Sequence, residues 1–95
     1  MLFVITCLDK PNHGHVRAEN REDHLGYLDA LGGALVTAGP ILSDDGETPE
    51  GSVLIVDFED REAAENFATG DPYNKAGLFE RVEIRRWKQI FPKAG

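Results

Sequence analysis

The chain has 95 residues, of which 41% are hydrophobic and 8% aromatic, and its formal net charge is −7 at pH 7. This length suits one domain with a single core, and the negative charge disfavours a nucleic-acid partner because phosphates would repel it. The single cysteine excludes an internal disulfide, and the absence of an apolar run of roughly 18 residues or of a signal peptide predicts a cytoplasmic protein with no membrane partner.

The first third of the chain predicts a strand and then a helix. Residues 2–8 are apolar or small at both parities, a pattern typical of a strand that is buried on both faces. After a loop, apolar residues recur at helical spacing from about His15 to Leu31. Gly32-Gly33 is expected to end this helix.

The middle of the chain predicts two more strands. Residues 34–38 form the second strand, which we expect to end at Gly39-Pro40. A polar connection covers residues 43–51. Residues 52–58 form the third strand, which is apolar at both parities.

The last third predicts a second helix and a fourth strand. Asp60 is the expected N-cap of the helix, and Pro72 should end it and hold Asp71 in a fixed turn. The last strand is expected from about Phe79 to Phe91, with a bulge near Arg85-Arg86. The narrow apolar stripe of the helix consists of Ala63, Ala64, Phe67 and Ala68.

The order βαββαβ predicts an α+β domain with the split βαβ arrangement of ferredoxin-like folds. In this topology the first and third strands are central, and two helices can cover only one face of the sheet. Because both central strands are apolar at both parities, the second face should carry an apolar patch that packs against another copy. We therefore expect a homodimer; the alternative is a monomer in which β-propensity alone fills both parities.

His24 and Asp71 are the candidate catalytic residues. His24 lies beside the Leu28 and Leu31 stripe, and imidazole is a natural general acid/base because its unperturbed pKa is roughly 6.5. The turn after the second helix can face the first helix, so Asp71 could orient the ring. The structural alternatives are a core histidine with one hydrogen bond and a simple helix-ending turn.

Four further residues are candidates for contact with a substrate. Tyr73 brings a phenol that could donate to an oxyanion or close a pocket, and Gly39-Pro40 could form a backbone wall that a ligand approaches closely. Asp45 lies in an acidic loop that lacks the spacing of a calcium-binding EF-hand. That loop is expected to be a solvated turn, with a lesser role for one carboxylate at the pocket mouth.

Other chemistry finds little support in the sequence. His13 and His15, separated by one glycine, are a weak metal-binding pattern, and we expect no metal site. Cys7 is expected to fill the core as a small apolar side chain. Nucleotide-binding and hydrolase motifs are absent, so no cofactor is expected.

An ordered set of short motifs resembles the YciI-like family nearly from end to end. The set comprises Met1-Leu2-Phe3-Val4-Ile5, Arg21-x-x-His24-Leu25-x-x-Leu28, Thr37-Ala38-Gly39-Pro40, Gly51-Ser52, Glu62-Ala63-Ala64, Asp71-Pro72-Tyr73, Ala76-Gly77 and the closing strand. The resemblance implies one domain over residues 1–95, built as a ferredoxin-like subunit of a dimeric α+β barrel. It also implies a His–Asp active-site pair, and His24 and Asp71 match its positions.

The resemblance gives two expectations for function. The first is a cofactor-independent lyase or isomerase that uses the His–Asp pair for proton transfer on a small organic substrate, such as an aromatic compound. The second is a non-catalytic module that binds a small ligand or interacts as a homodimer. An open pocket with an accessible His24 ring favours a ligand site of either kind, whereas a sealed ring argues against both.

Overall fold

The computed structural model describes residues 1–93, which form a four-stranded antiparallel sheet and three helices. The strands are β1 (Leu2–Asp9), β2 (Leu35–Leu42), β3 (Pro49–Asp57) and β4 (Phe79–Arg86). The helices are α1 (Gly14–Asp29), α2 (Arg61–Gly70) and α3 (Pro72–Lys75), and a 3-10 turn covers Gly32–Ala34. The sheet order β2-β3-β1-β4 makes β1 and β3 central. The predicted α+β class and the βαββαβ order are confirmed.

The register of the central strands separates a helix-covered face from an open face. Phe3 of β1 pairs with Val56 of β3, and Ile5 pairs with Leu54. These four side chains are buried with residues of the helices in one core. Successive side chains of a strand point to opposite faces, so the intervening residues lie on the open face, which no helix within residues 1–93 covers.

Helix α1 contributes little to the core. Its buried residues are Arg17, His24 and Leu28, and two of these three are polar. The helix ends at Asp29, and Gly32 then adopts a φ of 56°, in the left-handed region that favours glycine. The helix thus ends two residues before the predicted Leu31, with Ala30 as its C-cap, and the predicted glycines follow in the next turn. Among the described residues, none of the helices is both long enough and apolar enough to cross a membrane.

Three strand boundaries differ clearly from the sequence prediction. Strand β3 begins at Pro49 and not at Ser52, so the polar connection is shorter than the predicted residues 43–51. Strand β2 does not end at Gly39-Pro40 but continues to Leu42, because β2 is an edge strand and proline is tolerated where one side of the strand needs no partner. Strand β4 ends at Arg86 and not at Phe91. Arg86 already pairs with Phe3 near the start of β1, so the chain beyond it has almost no strand left to pair with.

The bulge in this pair of strands also lies elsewhere than predicted. The register between β1 and β4 shifts between Leu8 and Asp9, and not at Arg85-Arg86. Residues 87–93 lie outside any strand.

The turn at Asp71 does more than end a helix. Helix α2 begins at the predicted N-cap, where the Asp60 carboxylate accepts a hydrogen bond from the Ala63 backbone at 2.8 Å. Asp71 then ends α2 and also caps α3, a one-turn helix with Pro72 in its first turn. The sequence pattern does not predict α3, because four residues are too few for a periodic pattern.

Gly51 is expected to be intolerant of a side chain. A Cβ atom there would overlap the backbone carbonyl oxygen of Cys7 on the neighbouring strand. We expect Gly51→Ala to lower the free energy of unfolding by about 1–3 kcal/mol, the usual cost of overpacking. Gly26→Ala is the matched control: its Cβ meets nothing within 4 Å, and alanine should stabilise α1 by up to about 1 kcal/mol.

Urea unfolding at one fixed protein concentration measures both variants. A Gly51→Ala midpoint equal to that of the unmodified chain would show that the strand spacing is not tight at this position.

Candidate functional site

A cavity of about 490 Å³ lies between α1 and the β2–β3 half of the sheet. Its volume is within the range of small-molecule sites, about 300–1,000 Å³. The wall combines leucine side chains with a few polar groups, as small-molecule sites usually do. The lining includes Arg17, Arg21, His24 and Leu28 of α1, Gly39 and Pro40 of β2, Ser52 and Leu54 of β3, and Tyr73 of α3.

The centre of this wall is a hydrogen bond between the His24 ring and the Asp71 carboxylate. The distance from Nδ1 to Oδ1 is 2.8 Å, and the two residues are only 6% and 3% exposed. The contact joins α1 to the turn between α2 and α3, across 47 positions of sequence. The pairing that the sequence left open is therefore present in the structure.

Two features of the chain hold the Asp71 carboxylate in place. The same Oδ1 atom accepts a second hydrogen bond from the backbone N–H of Tyr73, at 2.9 Å. Just before it, Gly70 lets α1 come close, because a Cβ there would lie 2.6 Å from the Tyr27 hydroxyl. That hydroxyl donates to the Phe67 carbonyl of α2 at 2.8 Å. Asp71 is thus fixed by its own backbone turn and by the packing of the helix beside it.

The hydrogen bond to Asp71 decides which nitrogen of His24 carries the proton. An ionised carboxylate only accepts, so Nδ1 donates, and neutral imidazole then has its lone pair on Nε2. Within residues 1–93, every side-chain nitrogen or oxygen shut off from solvent has a hydrogen-bond partner. Nε2 makes no hydrogen bond there, so it keeps contact with solvent, and His24 lines the cavity. The ring can therefore reach a bound molecule.

Tyr73 packs flat against His24 and extends the wall. Their ring centroids are 3.9 Å apart at an interplanar angle of 14°. Burial raises the pKa of the Tyr73 phenol, and the nearby positive charges of Arg17 and Arg21 oppose part of that rise. The neutral phenol is therefore the stable form near neutral pH and can act as a hydrogen-bond donor.

Arg17 connects the tyrosine to a second buried carboxylate. Its guanidinium lies 4.7 Å from the centroid of the Tyr73 ring. Nε and Nη2 bind both oxygens of Asp9, at 2.8 and 2.9 Å, and Nη2 also reaches the Ser52 hydroxyl at 3.1 Å. Burial disfavours the charge on Arg17, but hydrogen bonding to Asp9 and its negative charge outweigh this and raise the pKa of Arg17.

The structure brings together most of the predicted site residues. His24, Tyr73, Gly39 and Pro40 all line the cavity, and Asp71 lies directly behind His24. Asp45 does not line it. That carboxylate instead accepts hydrogen bonds from the Ser43 hydroxyl and the Glu47 backbone within its own exposed turn.

Three polar residues of the site were not predicted from the sequence as site residues. Arg17 and Arg21 carried one signal that could have found them, because they precede His24 by seven and three positions and so share its helix face. Ser52 carried no such signal. It enters the site only because its strand places it opposite Cys7, on the helix-covered face.

His13 and His15 do not join the site. His13 donates a hydrogen bond from Nδ1 to the Pro11 carbonyl oxygen at 2.7 Å, and its ring centroid lies 5.9 Å from that of His15. Within residues 1–93, no group of three or more His, Cys, Asp or Glu side chains is arranged to hold a metal ion.

A family comparison matches almost the whole chain. A model of the YCII-related domain matches residues 1–88. Protein YciI of Escherichia coli O6:H1 is 39% identical over 98 residues, which covers 96% of this chain and 100% of the relative. An uncharacterized protein of Haemophilus influenzae is 38% identical over the same share of each chain.

Solved structures agree with this comparison. The 5-chloro-2-hydroxyhydroquinone dehydrochlorinase of Burkholderia phenoliruptrix AC1100, solved with 2,5-dihydroxybenzoquinone, superposes with a TM-score of 0.86 and 37% identity, over 93% of this chain and 94% of its own. A putative antibiotic biosynthesis monooxygenase from Bacteroides thetaiotaomicron shares the fold at a TM-score of 0.60 and 10% identity, over 100% of this chain and 93% of its own.

Cys7 is expected to be inert in the folded protein. It is 2% exposed, and burial, followed by the negative charges of Asp71 and Asp9, raises the pKa of its thiol from 9.0 to about 12. Since the thiolate is the reactive form, the native thiol should be alkylated at pH 8 at least roughly 10³-fold more slowly than the thiol of the unfolded chain. Iodoacetamide labelling, with and without urea and read by mass spectrometry, measures the ratio; similar rates in both states would contradict the burial of Cys7.

Proposed function

This chain is a member of the YCII-related domain family, and we propose that it is a cofactor-independent lyase or isomerase that moves protons on a small organic molecule. His24 is the general acid/base, and Asp71 is the positioning residue behind it. The observation that carries the proposal is the 2.8 Å hydrogen bond from Nδ1 to a buried carboxylate, together with a solvent-accessible Nε2 on the wall of a cavity.

The proton transfer follows from that arrangement. The Nε2 lone pair takes a proton from a C–H or O–H group of the substrate, and the ring becomes an imidazolium. Asp71 stabilises the imidazolium by its charge and keeps the ring in one orientation, without itself taking the proton. The electron pair left on the substrate forms a new double bond, either as a group leaves (a lyase) or as His24 returns the proton at another atom (an isomerase).

The donors around His24 suit the charge that develops in this step. Removal of a proton from a hydroxyl group, or from a carbon next to a carbonyl group, leaves negative charge on an oxygen of the substrate. Arg17 and the neutral Tyr73 phenol both line the cavity, and fixed donors of this kind stabilise such an oxygen in an apolar surrounding. Arg17 is already held by Asp9 and Ser52, so it needs no rearrangement to act.

The similarity to the dehydrochlorinase supports a substrate that contains a single ring. That protein, 37% identical to this chain, is named for the removal of chloride from a hydroxylated ring and was solved with 2,5-dihydroxybenzoquinone. A cavity of about 490 Å³ has room for a molecule of that size. We therefore propose hydroxylated or quinonoid single rings as the substrate class in which to search for turnover.

We also propose that the working form is a homodimer assembled through the open face of the sheet. On that face Val4 pairs with Ile55 and Thr6 pairs with Val53, so the two central strands present a mostly apolar surface. Leu8, also on this face, is 41% exposed. A second copy of the same surface would shield Leu8 and the partly exposed Val4, Thr6 and Val53 from water, whereas Ile55 is already only 7% exposed.

His24→Ala and Asp71→Asn are expected to remove turnover from a folded protein. The substrate screen covers hydroxylated and chlorinated aromatics, lactones and small acids. Loss of the general base should lower kcat on the order of 10²–10⁴-fold. Asparagine is as good an N-cap as aspartate, so Asp71→Asn keeps the hydrogen bond from Tyr73 while removing the negative charge behind the ring. His15→Ala, on the exposed surface of the same helix, should leave kcat unchanged.

Circular dichroism and urea unfolding accompany the kinetics. If both site variants unfold, the pair serves the fold and not the reaction. If the unmodified chain binds ring compounds but converts none of them, the cavity is a binding module.

Val4→Glu is expected to convert the dimer into a monomer, because it places a charge in the middle of the open face. Val82→Glu makes the same change on the adjacent strand β4, where Val82 pairs with Cys7 and so belongs to the helix-covered side. It should leave the dimer intact. Light scattering after size exclusion gives both masses; an unmodified chain that already runs as a monomer would refute the assembly.

A further inference from the structure

We propose that the cavity selects an organic anion, held by Arg21 with its reactive atoms beside His24; this inference rests on the proposed function for the role of His24. The ligand class is a small molecule, carboxylate or phenolate, that carries an ionised oxygen at neutral pH.

The charges on the cavity wall are of one sign. The chain contains 17 acidic and 10 basic residues, yet no aspartate or glutamate lines the cavity. Its charged side chains, His24 aside, are Arg17 and Arg21. The two carboxylates nearest to this wall, Asp9 and Asp71, lie behind it and are bonded to Arg17 and His24.

The two arginines differ in whether their positive charge is available to a ligand. Arg17 is buried and is neutralised by Asp9 through two hydrogen bonds, so the pair adds donors to the wall but no net charge. Arg21 is exposed and makes no ion pair or side-chain hydrogen bond within residues 1–93. Its positive charge is therefore available to a ligand.

The position of Arg21 on α1 explains why no acidic side chain of this helix pairs with it. On a helix, a side chain meets those three and four positions away. For Arg21 these are Arg17, Ala18, His24 and Leu25, all of which line the cavity and none of which is acidic. Glu22 and Asp23 follow Arg21 directly, and adjacent positions on a helix do not face each other.

Three of the four other exposed arginines have a carboxylate partner, and the fourth, Arg86, lies over the Phe3 ring. Arg61 is paired with Glu65 at 2.9 Å, and both Arg81 and Arg85 lie within ion-pair distance of Glu83. An exposed arginine on this acidic chain thus commonly lies beside a carboxylate. Arg21 lies instead at the centre of the cavity-lining face of α1.

The spacing between Arg21 and His24 fits the proposed step. Side chains three positions apart on a helix are neighbours, with Cβ atoms roughly 5–6 Å apart. That separation is about the width of one aromatic ring. An oxygen anion bound by Arg21 would place the adjoining carbon atoms of the ring within reach of Nε2, so that Arg21 selects and orients the molecule while His24 moves the proton.

The test uses two probes of equal shape, 4-hydroxybenzoate and 4-hydroxybenzamide, titrated into the ¹⁵N-labelled full chain and followed by NMR. We expect the anion to bind roughly tenfold more tightly than the amide, as a charge-assisted hydrogen bond would give. The shifts should map to α1, β2 and β3 around the cavity. Arg21→Gln should remove the preference, and Arg21→Lys should keep most of it. Arg61→Gln, which makes the same change in net charge far from the cavity, should leave it unchanged.

The outcomes separate this inference from the proposed function. Equal affinity for the two probes, no binding of the anion, or a preference lost equally in Arg61→Gln would overturn it. Retention of the preference in His24→Ala is expected, because that variant removes the base and not the cation. A chain that prefers the anion but shows no turnover on any substrate would refute the catalytic proposal alone. Turnover without charge preference would refute only the role of Arg21.

Discussion

One oxygen atom, Oδ1 of Asp71, holds the three helices together at the candidate site. It accepts from Nδ1 of His24 in α1 and from the first turn of α3, and its residue ends α2. A buried carboxylate is costly unless its hydrogen bonds are made. If either contact were lost, the Asp71 carboxylate would have to become exposed to water or protonated. The geometry of the histidine and the packing of the helices are consequently set by the same atom.

From this atom a continuous stack of side chains crosses the domain. The His24 ring stacks on Tyr73, and the Arg17 guanidinium lies over the Tyr73 ring. Arg17 in turn bonds the Asp9 carboxylate at the C-terminal end of β1. Each buried charge in the stack has a partner of opposite sign or a hydrogen bond. His24, Tyr73 and Arg17 are each held on two sides, and a fixed polar wall beside an apolar cavity is the environment in which such donors act most strongly.

The sequence could predict the parts whose signals are local or topological. Two-sided apolar strands indicated that β1 and β3 are central, and a proline after Asp71 indicated a fixed carboxylate that could face His24. The role of Ser52 depends on strand register, which no local pattern specifies, and the contact between Arg17 and Ser52 joins residues 35 positions apart. The end of β4 likewise depends on where β1 begins, and the sequence within residues 79–91 contains no trace of that limit.

Because α1 buries few side chains against the sheet, a ligand in the cavity would affect the stability of the fold. This helix buries only Arg17, His24 and Leu28, and across the cavity it faces the sheet without packing closely on it. A molecule held between them would contact both layers and fill the space that apolar side chains fill in most two-layer domains. Its binding energy therefore adds directly to the unfolding free energy, by RT ln(1 + [L]/Kd). A ligand bound in the cavity would thus complete the packing between the helix layer and the sheet.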